Sequence, residues 1–488
     1  MLTQETVLSS IVRIHSYGKD VNFAQPFQRN DRKKGVGTGT FVQPPRGSLH
    51  AGTNALFVLT CAHVVNNADA VAVLLPMVSQ TDEIDAQVLS FVPEYDLAIV
   101  VIPDPERKYS KLTHVLELGQ SDGMQLRTKL TAFGFPMGQT ALKASEGVYA
   151  GYQRLLQHTV SISPGNSGGP LVDEQNRIIG VNNSGMVAAN ASDIFYAVPI
   201  EFYIAQRDRL FALDVGPPAP TRVLRLPSYG LCYQEATLAQ LRASGASAGV
   251  FVYKVLPGSP AHTASLQHGC IITSFNGTPV ERTGEVAVEW NYQKVPLTDL
   301  MFRCADSTQQ YVVEHIMQDG QQVASRVSPA DFDVNGLKEL FPPFDTLDYV
   351  AFAGLCIMNL CKNHVKNPIT MSAYVFQEPE ELMQPQCIIT HIFAGSHAQV
   401  LDAVHKGEVV THVNNVPVHT LADVRAALLQ PVQGELVQFT VKRGETLALA
   451  VQDVLREEQQ NISSNLYKPE TDILDALQKM SVVKENNP

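Results

Sequence analysis

The stretch SPGNSGGP, residues 163–170, decides the fold when it is combined with LTCAHVV at residues 59–65 and EYDLAIV at residues 94–100. Each stretch holds one polar residue, His63, Asp96 or Ser167, beside an apolar run that predicts a β-strand. Loops at strand ends can present such side chains to a shared cleft. We therefore expect these three side chains to lie close together.

The chemistry of these side chains indicates why they occur together. A serine hydroxyl is a weak nucleophile, so an imidazole must take its proton, and a carboxylate must hold the imidazole in the correct tautomer. The order His63, Asp96, Ser167 therefore predicts a catalytic triad. Glycines around the serine leave backbone N–H groups free to face a developing oxyanion. This predicts an oxyanion hole at Gly165, Asn166 and Ser167, with the first and last of these as donors.

Each motif also has a purely structural interpretation. His63 fits a packed histidine at a strand end, and Asp96 fits the start of a strand. GNSGG fits a simple turn, because Gly, Asn and Ser all favour turns. All three motifs occur in one β-rich region and in this order, which favours the triad.

Short apolar runs separated by turn residues continue through the first 210 or so residues; examples are GTGTFV, ALFVLT, AVAVLL, DLAIVVI, KLTAFGF and RIIGVN. Runs of this length predict an all-β barrel or sandwich. The stretch DVGPPAPTRVLRLPS at residues 214–228 follows, and its prolines disfavour both a helix and a central strand. We interpret it as a linker.

Two later stretches resemble each other, which indicates an internal repeat of one small domain. Their shared frame is GS-x-A in a turn, followed by GCIITSFNGTPV at residues 269–280 or GEVVTHVNNVPV at residues 407–418. We expect the domain limits 1–213, 214–227 (linker), 228–330 (first repeat), 331–350 (connecting segment), 351–456 (second repeat) and 457–488 (polar tail, in which ETDILDALQKM is one possible helix).

Composition narrows the partners and the compartment. The chain has 488 residues, a length that suits about three domains. Its net charge of -12 disfavours nucleic acid and anionic membranes as partners. Seven cysteines without a CxxC pair predict free thiols in a reducing compartment. No apolar run has the length of a membrane span and no signal peptide is apparent, so we expect a cytoplasmic location.

Other clusters do not predict a cofactor or a metal. No Walker or Rossmann glycine pattern occurs. The acidic pairs Glu380-Glu381 and Glu457-Glu458 fit a solvated surface. Histidines crowd one later region, but their spacing matches no zinc signature; they are His391, His397, His405, His412 and His419.

TCAHVV, DLAIV and GNSGGP resemble the HtrA/Deg (DegP-like) family of serine proteases with PDZ domains. GTGTFV, GFPMG at residues 134–138, RIIGVN and FYAVPI also match that family's pattern. NFAQPFQR, from Asn22, and the divergent second repeat are closest to the plant-type Deg branch. The resemblance implies a mainly β chain, with a trypsin-like double β-barrel protease domain followed by two α+β PDZ domains.

The same resemblance implies a function. Proteins of this kind are ATP-independent serine endopeptidases that act in quality control on unfolded or damaged proteins and peptides, and they form homotrimers or multiples of trimers. The alternative from another class is a chaperone or scaffold whose protease site is silent or occluded.

Two positions depart from the family pattern. Cys61 stands where the family usually has Asn, and we interpret it as a packed thiol, with a redox role as the alternative. The resemblance assigns the substrate pocket to Ile162 and Gly185. A large apolar residue is common at the second position, so the glycine leaves the pocket size open, and we favour a small or medium aliphatic P1 side chain.

PDZ domains bind extended peptides at a sheet edge and capture the C-terminal carboxylate with backbone N–H groups of a loop. The candidate carboxylate loops are Tyr229, Gly230 and Leu231 in the first repeat, and Ala353, Gly354 and Leu355 in the second. Cys270 and Glu408 stand where the family's acidic residue follows a late glycine. Whether a repeat, the second in particular, only packs against a neighbour stays open here.

Overall fold

The structure is a computed structural model that describes residues 3–28, 30–183, 194–212, 222–330, 337–342, 344–365, 368, 370–371, 381, 384–430, 435–465 and 467–485. The contacts divide the chain into two compact units. The first unit comprises Met1–Lys19 and Arg32–Phe332, and the second comprises Asp20–Asp31 and Asp333–Pro488.

The first unit begins with a six-stranded barrel. Its strands pair in the order β4-β1-β2-β3-β6-β5, and β5 pairs with β4 to close the ring. Apolar side chains fill β6, in which every residue from Leu97 to Ile102 is buried. The elements are α1 Gln4–Leu8, β1 Ile11–Lys19, β2 Arg32–Val42, β3 Ala55–Thr60, α2 Ala62–Val65, β4 Ala70–Leu74, β5 Ile84–Val92 and β6 Leu97–Pro103.

A second closed barrel follows in the order β10-β11-β12-β9-β8-β7. Its core includes Leu130, Leu156, Leu171 and Ile179. The elements are β7 Lys129–Gly134, a 3-10 turn Pro136–Gly138, β8 Lys143–Gln153, β9 Leu155–His158, β10 Pro170–Val172, β11 Ile178–Asn182, β12 Phe195–Pro199 and α3 Ile200–Leu210. Two six-stranded barrels confirm the predicted trypsin-like double barrel.

The first repeat forms a sheet in the order β14-β15-β16-β20-β21, with β17 paired to β16 and a separate β18-β19 ribbon. Ahead of it, β13 Arg222–Val223 pairs in parallel with β5. The remaining elements are β14 Leu231–Glu235, α4 Leu238–Ser244, β15 Val250–Val255, α5 Pro260–Thr263, β16 Ile271–Phe275, β17 Thr278–Pro279, β18 Glu285–Val286, β19 Val295–Pro296, α6 Leu297–Arg303, β20 Tyr311–Ile316 and β21 Gln322–Val327.

The second repeat, in the second unit, forms a sheet in the order β22-β23-β24-β25-β27-β28, with β26 paired to β25. Its elements are β22 Val350–Phe352, β23 Leu355–Asn359, α7 Lys362–Val365, β24 Cys387–Ile392, α8 His397–Leu401, β25 Val409–Val413, β26 Val416–Pro417, α9 Leu421–Leu428, β27 Leu436–Val441, β28 Thr446–Ala450, α10 Val451–Asn465 and α11 Thr471–Glu485.

Matching hydrogen bonds relate the two repeats. The backbone N–H of Leu256 donates to the carbonyl of Gly230 at 2.9 Å, and that of Phe393 donates to the carbonyl of Gly354 at 2.9 Å. In each case a residue just before the shared GS turn reaches back to the glycine of the candidate carboxylate loop. The sequence similarity therefore corresponds to the same local design.

The end of the chain differs from a simple polar tail. Helix α10 runs through residue 457, where we expected the second repeat to end. In α11, Ile473 and Leu477 are buried in the core of the second repeat. Glu458, half of an acidic pair expected at the surface, is only 1% exposed. These helices therefore belong to the folded body of the second unit.

Residues 20–31 connect β1 with β2, yet they cluster with the second unit. The ring of Phe27 packs 5.1 Å from that of Phe393 and 6.3 Å from that of Tyr467, measured between centroids. Gln25 Nε2 lies 3.2 Å from His391 Nδ1. A connection between two barrel strands is thus part of the core of another unit.

Within the described ranges, no helix has the length and apolar character needed to cross a membrane. Residues 214–221 of the expected linker and residues 331–336 of the connecting segment lie outside the described residues. The domain limits given above therefore stay predictions.

We expect Phe27→Ala to destabilise the second unit by about 3 kcal/mol, because truncation of a buried phenylalanine removes contacts and leaves a cavity. Calorimetry of the full chain should show a lower Tm for one transition only. The control is Leu49→Ala, since Leu49 is 65% exposed. Equal melting of Phe27→Ala and the original chain would contradict the packing described here.

Candidate active site

The N-terminus of helix α2 positions His63, and the loop before β6 holds that helix. The carbonyl of Asp96 accepts a hydrogen bond from the Ala62 N–H at 3.1 Å. Asp96 Oδ1 accepts the His63 N–H at 2.8 Å, and Oδ2 lies 2.7 Å from His63 Nδ1. The carboxylate thus fixes both the backbone and the ring of the histidine, and Nδ1 carries the proton that it shares.

Asp96 itself has a backbone conformation that is uncommon for a residue with a side chain. Its φ is 55°, in the left-handed region. The turn is closed by a hydrogen bond from the Asp96 N–H to the Pro93 carbonyl at 3.1 Å, and the buried strand β6 follows directly. The fold therefore maintains this conformation at the place where it aims the carboxylate at His63.

Asn183 is a neighbour of the pair that the sequence analysis missed. Its Nδ2 donates to Asp96 Oδ2 at 3.1 Å, so this oxygen receives a second hydrogen bond besides that from His63. The position directly after β11, two residues from the predicted pocket glycine, was the only signal for it. Asn183 is placed to hold the carboxylate against rotation.

The pKa of His63 reflects two opposing influences. Burial of the imidazole lowers its pKa, but the hydrogen bond and the negative charge of Asp96 together outweigh burial. The pKa of His63 is therefore raised above 6.5. A histidine in this setting is ready to accept a proton on its free Nε2.

Ser167 lies in the loop between β9 and β10, and neighbouring backbone groups fix its position. Its carbonyl accepts the Thr38 N–H at 2.9 Å. The next residue, Gly168, has a φ of 85°, and a Cβ there would collide with Thr60 Oγ1 and the Thr38 carbonyl. Only glycine fits this approach, which explains the first glycine of the GG pair.

The predicted oxyanion hole lies in a tight turn of the serine loop. The chain turns sharply at Gly165, whose φ is 101° and whose carbonyl accepts Thr38 Oγ1–H at 2.6 Å. Asn166, at the middle of the turn, donates its backbone N–H to Ser163. Among the described residues, the N–H groups of Gly165 and Ser167 donate to no protein acceptor. An oxyanion hole needs such unpaired donors, and the assignment of these two N–H groups to it stays a prediction.

The serine and the histidine are not engaged with each other. In the part of the chain that the structure describes, no hydrogen bond within 3.5 Å joins Ser167 Oγ to His63 Nε2. The structure thus brings His63 and Asp96 into direct contact and fixes the Ser167 backbone. It does not place Ser167 Oγ in hydrogen-bond contact with His63 Nε2.

Only one of the two predicted pocket residues lies in the described part of the chain. Ile162 is 7% exposed and belongs to the core of the second barrel, with Tyr149 and Leu156. Gly185 lies outside the described residues. The pocket assignment therefore stays a prediction.

Cys61 lies directly beneath the pair. It is fully buried, and its Sγ–H donates to the Asn182 carbonyl at 3.2 Å. Burial, reinforced by the charge of Asp96, raises the pKa of the thiol well above its usual range. A buried, protonated thiol fits our interpretation of a packed cysteine.

One group of metal donors exists in the described part of the chain. Sγ of Cys61, a ring nitrogen of His63 and a carboxylate oxygen of Asp96 lie within 4.8 Å of one another. Two ligands of a tetrahedral zinc lie roughly 3.3 Å apart, whereas the Nδ1–Oδ2 distance here is 2.7 Å. The group therefore fits a hydrogen-bonded pair, and we assign no metal to it.

The clustered histidines of the second unit have other partners. His397 Nδ1 lies 3.0 Å from Glu457 Oε2, and His412 Nδ1 lies 3.1 Å from Thr411 Oγ1. Among residues with described positions, these histidines form no group of three metal donors.

The candidate carboxylate loops lead into strands β14 and β23, which begin at Leu231 and Leu355. Gly230 has a φ of 71°. In the second repeat, Ala353 and Gly354 have φ values of 53° and 79° and form the tight turn of the β22-β23 hairpin. The two loops therefore occupy equivalent places but differ in what precedes them.

Comparison with known proteins gives a consistent result. Residues 37–181 match the trypsin-like peptidase domain, the class that the two barrels and the His63–Asp96 pair define. The relatives include "Putative serine protease HhoA" of Synechocystis sp., 30% identical over 49% of this chain and 64% of the relative. "Periplasmic pH-dependent serine endoprotease DegQ" of Escherichia coli is 28% identical over 54% of each chain.

A plant protein, "Putative protease Do-like 13" of Arabidopsis thaliana, is 24% identical over 74% of this chain and 71% of its own length. Over its trypsin-like peptidase domain, the chain is therefore similar to serine proteases of the HtrA/Deg family. It spans less than two thirds of the length of the first relatives named above. The closer relationship to the plant branch stays a prediction.

The raised pKa of His63 has a testable consequence. In an NMR titration of Ser167→Ala, the His63 imidazole should titrate above pH 6.5, and Asp96→Asn should move its pKa below 6.5, because only burial then acts on the ring. Stability from the pair should be complete below pH 6.5 and lost as the pH rises through the raised pKa. His63→Gln identifies the resonance. An unshifted pKa in Asp96→Asn would contradict the pairing.

Proposed function

We propose that this protein is an ATP-independent serine endopeptidase that cleaves unfolded or damaged proteins and takes part in protein quality control. The observation that carries the proposal is the His63–Asp96 hydrogen bond of 2.7 Å beside a serine loop with two unpaired N–H donors. The relatives named above, two serine proteases and a further protease, support the same class.

The arrangement suits acyl transfer. Ser167 Oγ attacks the scissile carbonyl while His63 Nε2 takes its proton, and Asp96 stabilises the imidazolium that forms. The oxyanion is bound by the N–H groups of Gly165 and Ser167. The imidazolium then protonates the leaving amine, and water releases the acyl group by the same steps in reverse order.

A second candidate is a binding protein whose protease site is silent. The observation that favours it is the absence of a hydrogen bond between Ser167 and His63 in the described structure. An active enzyme without substrate often has a long hydrogen bond between its catalytic groups, which tightens when substrate binds. Cleavage assays therefore separate the two candidates.

We also propose that the first repeat is a peptide-binding PDZ domain that influences the active site. The ring of Tyr95, next to Asp96, stacks on Phe202 at 4.5 Å. The Tyr95 hydroxyl donates to the carbonyl of Phe302 in helix α6 at 2.6 Å. A helix of the first repeat therefore contacts the residue that precedes the catalytic carboxylate, which gives a bound peptide a direct route to it.

Assembly and compartment belong to the proposal as well. We expect a homotrimer or a multiple of trimers, by the resemblance to the family. All seven cysteines are free thiols in the structure, which supports a reducing compartment such as the cytoplasm.

Ser167→Ala should reduce casein cleavage by up to about 10⁶-fold in kcat, because it removes the nucleophile. Binding of unfolded casein should survive, since the cleft and the repeats are unchanged. Ser163→Ala, four residues earlier in the same loop, is the matched control and should keep most of the activity. A Ser167→Ala chain that cleaves casein at the original rate would overturn the triad. An original chain that binds casein but never cleaves it would favour the binding protein.

A further inference from the structure

The two repeats differ at the place where a PDZ domain takes its ligand. The equivalence of Gly230 and Gly354, established by their matching hydrogen bonds, aligns Tyr229 with Ala353. Strand β14 of the first repeat then corresponds to β23 of the second. The surroundings of these strands and of these two backbone N–H groups can be compared directly.

The first difference concerns the strand edge. Within the described residues, β14 ends its sheet and no strand covers its outer edge. In the second repeat, β22 pairs along β23, with Val350 opposite Ile357 and Phe352 opposite Leu355. A peptide that adds to a sheet as a strand needs an unpaired strand edge. In the second repeat, β22 already occupies that edge of β23.

The second difference concerns the loop N–H group. In the described part of the chain, the N–H of Tyr229 donates to no protein acceptor. The equivalent N–H of Ala353 donates to Glu458 Oε2 at 3.1 Å. The acceptor in the second repeat is thus a carboxylate, the group that such a loop captures at the end of a peptide.

Glu458 is built into this place. It is 1% exposed, and its Oε1 accepts the Tyr467 hydroxyl at 2.5 Å. Burial raises the pKa of Glu458 to about 7, against the hydrogen bonds from Tyr467 and Ala353, which favour its carboxylate form. The ring of Tyr467 also stacks on Phe393 at 5.1 Å, beside Phe27.

We propose that the second repeat is a self-liganded domain, in which the Glu458 carboxylate of helix α10 takes the place of a peptide's C-terminal carboxylate and β22 takes the place of the peptide strand. Its partner is its own chain. The domain therefore captures no free C-terminus, and its closed core serves to seat residues 20–31 through Phe27. The comparison rests on the proposed peptide binding by the first repeat, whereas the Glu458 contact does not.

Chemical rescue tests the carboxylate site. Glu458→Ala in the full chain, combined with Ser167→Ala, should lower the Tm of the second unit by about 5 °C at pH 8, because the Ala353 N–H and the Tyr467 hydroxyl lose their acceptor. Sodium acetate should restore about half of that loss in a saturable way. Sodium chloride at equal ionic strength and neutral acetamide should not.

The matched control is Asp453→Ala, which removes a more exposed carboxylate from the same helix and should show no specific response to acetate. Glu458→Gln replaces the carboxylate with a neutral amide, so, consistent with the failure of acetamide, its Tm should stay well below that of the parent chain. A Glu458→Ala chain that melts like Asp453→Ala, or that loses stability without a response to acetate, would overturn the proposal.

A second measurement does not depend on folding of the Glu458 variant. The Ser167→Ala chain is photo-crosslinked to a benzophenone-labelled decapeptide with an apolar C-terminal residue and a free carboxylate, and the sites are mapped by mass spectrometry. We expect crosslinks in residues 228–330 and none in residues 351–456. Crosslinks to the second repeat would contradict the self-liganded domain. Loss of those to the first repeat alone would contradict only its proposed peptide binding.

Discussion

Asp96 is the residue on which the active site depends. Its carbonyl and Oδ1 hold the start of helix α2, and its Oδ2 holds the ring of His63. One residue therefore sets the position of His63, the orientation of its ring and its pKa. This is achieved with a left-handed backbone at Asp96, directly before the most buried strand of the first barrel. The rigid barrel maintains a conformation that an isolated loop would leave.

The other half of the site is joined to this half through Thr38. That residue lies on β2 of the first barrel, and its N–H and hydroxyl bind the carbonyls of Ser167 and Gly165, which belong to the second barrel. Tyr95 extends the network to helix α6 of the first repeat. Within the first unit, direct hydrogen bonds therefore hold the Ser167 loop to strand β2 and hold Tyr95, the neighbour of Asp96, to the first repeat.

Much of this could be predicted from local pattern. Strand lengths, turn residues and the three motifs indicate a double barrel with His63, Asp96 and Ser167, because each motif needs its chemistry and its glycines in fixed places. Asn183 was missed because an amide after a strand has many uses. Glu458 was assigned to the surface because its neighbours in EEQQN are polar, and only the packing of α10 against the β22-β23 hairpin buries it. Contacts between segments that are far apart in the chain produce no periodic pattern in the sequence.

The placement of residues 20–31 has a consequence for folding during synthesis. Synthesis proceeds from the N-terminus, so Phe27 leaves the ribosome long before Phe393 and Tyr467, the rings against which it packs, have been made. The strands β1 and β2 can pair early, but the connection between them must wait, with an apolar side chain exposed, for most of the chain to follow. A chaperone could bind the exposed segment during this interval. The β1-β2 hairpin, although made first, is therefore completed among the last parts of the fold.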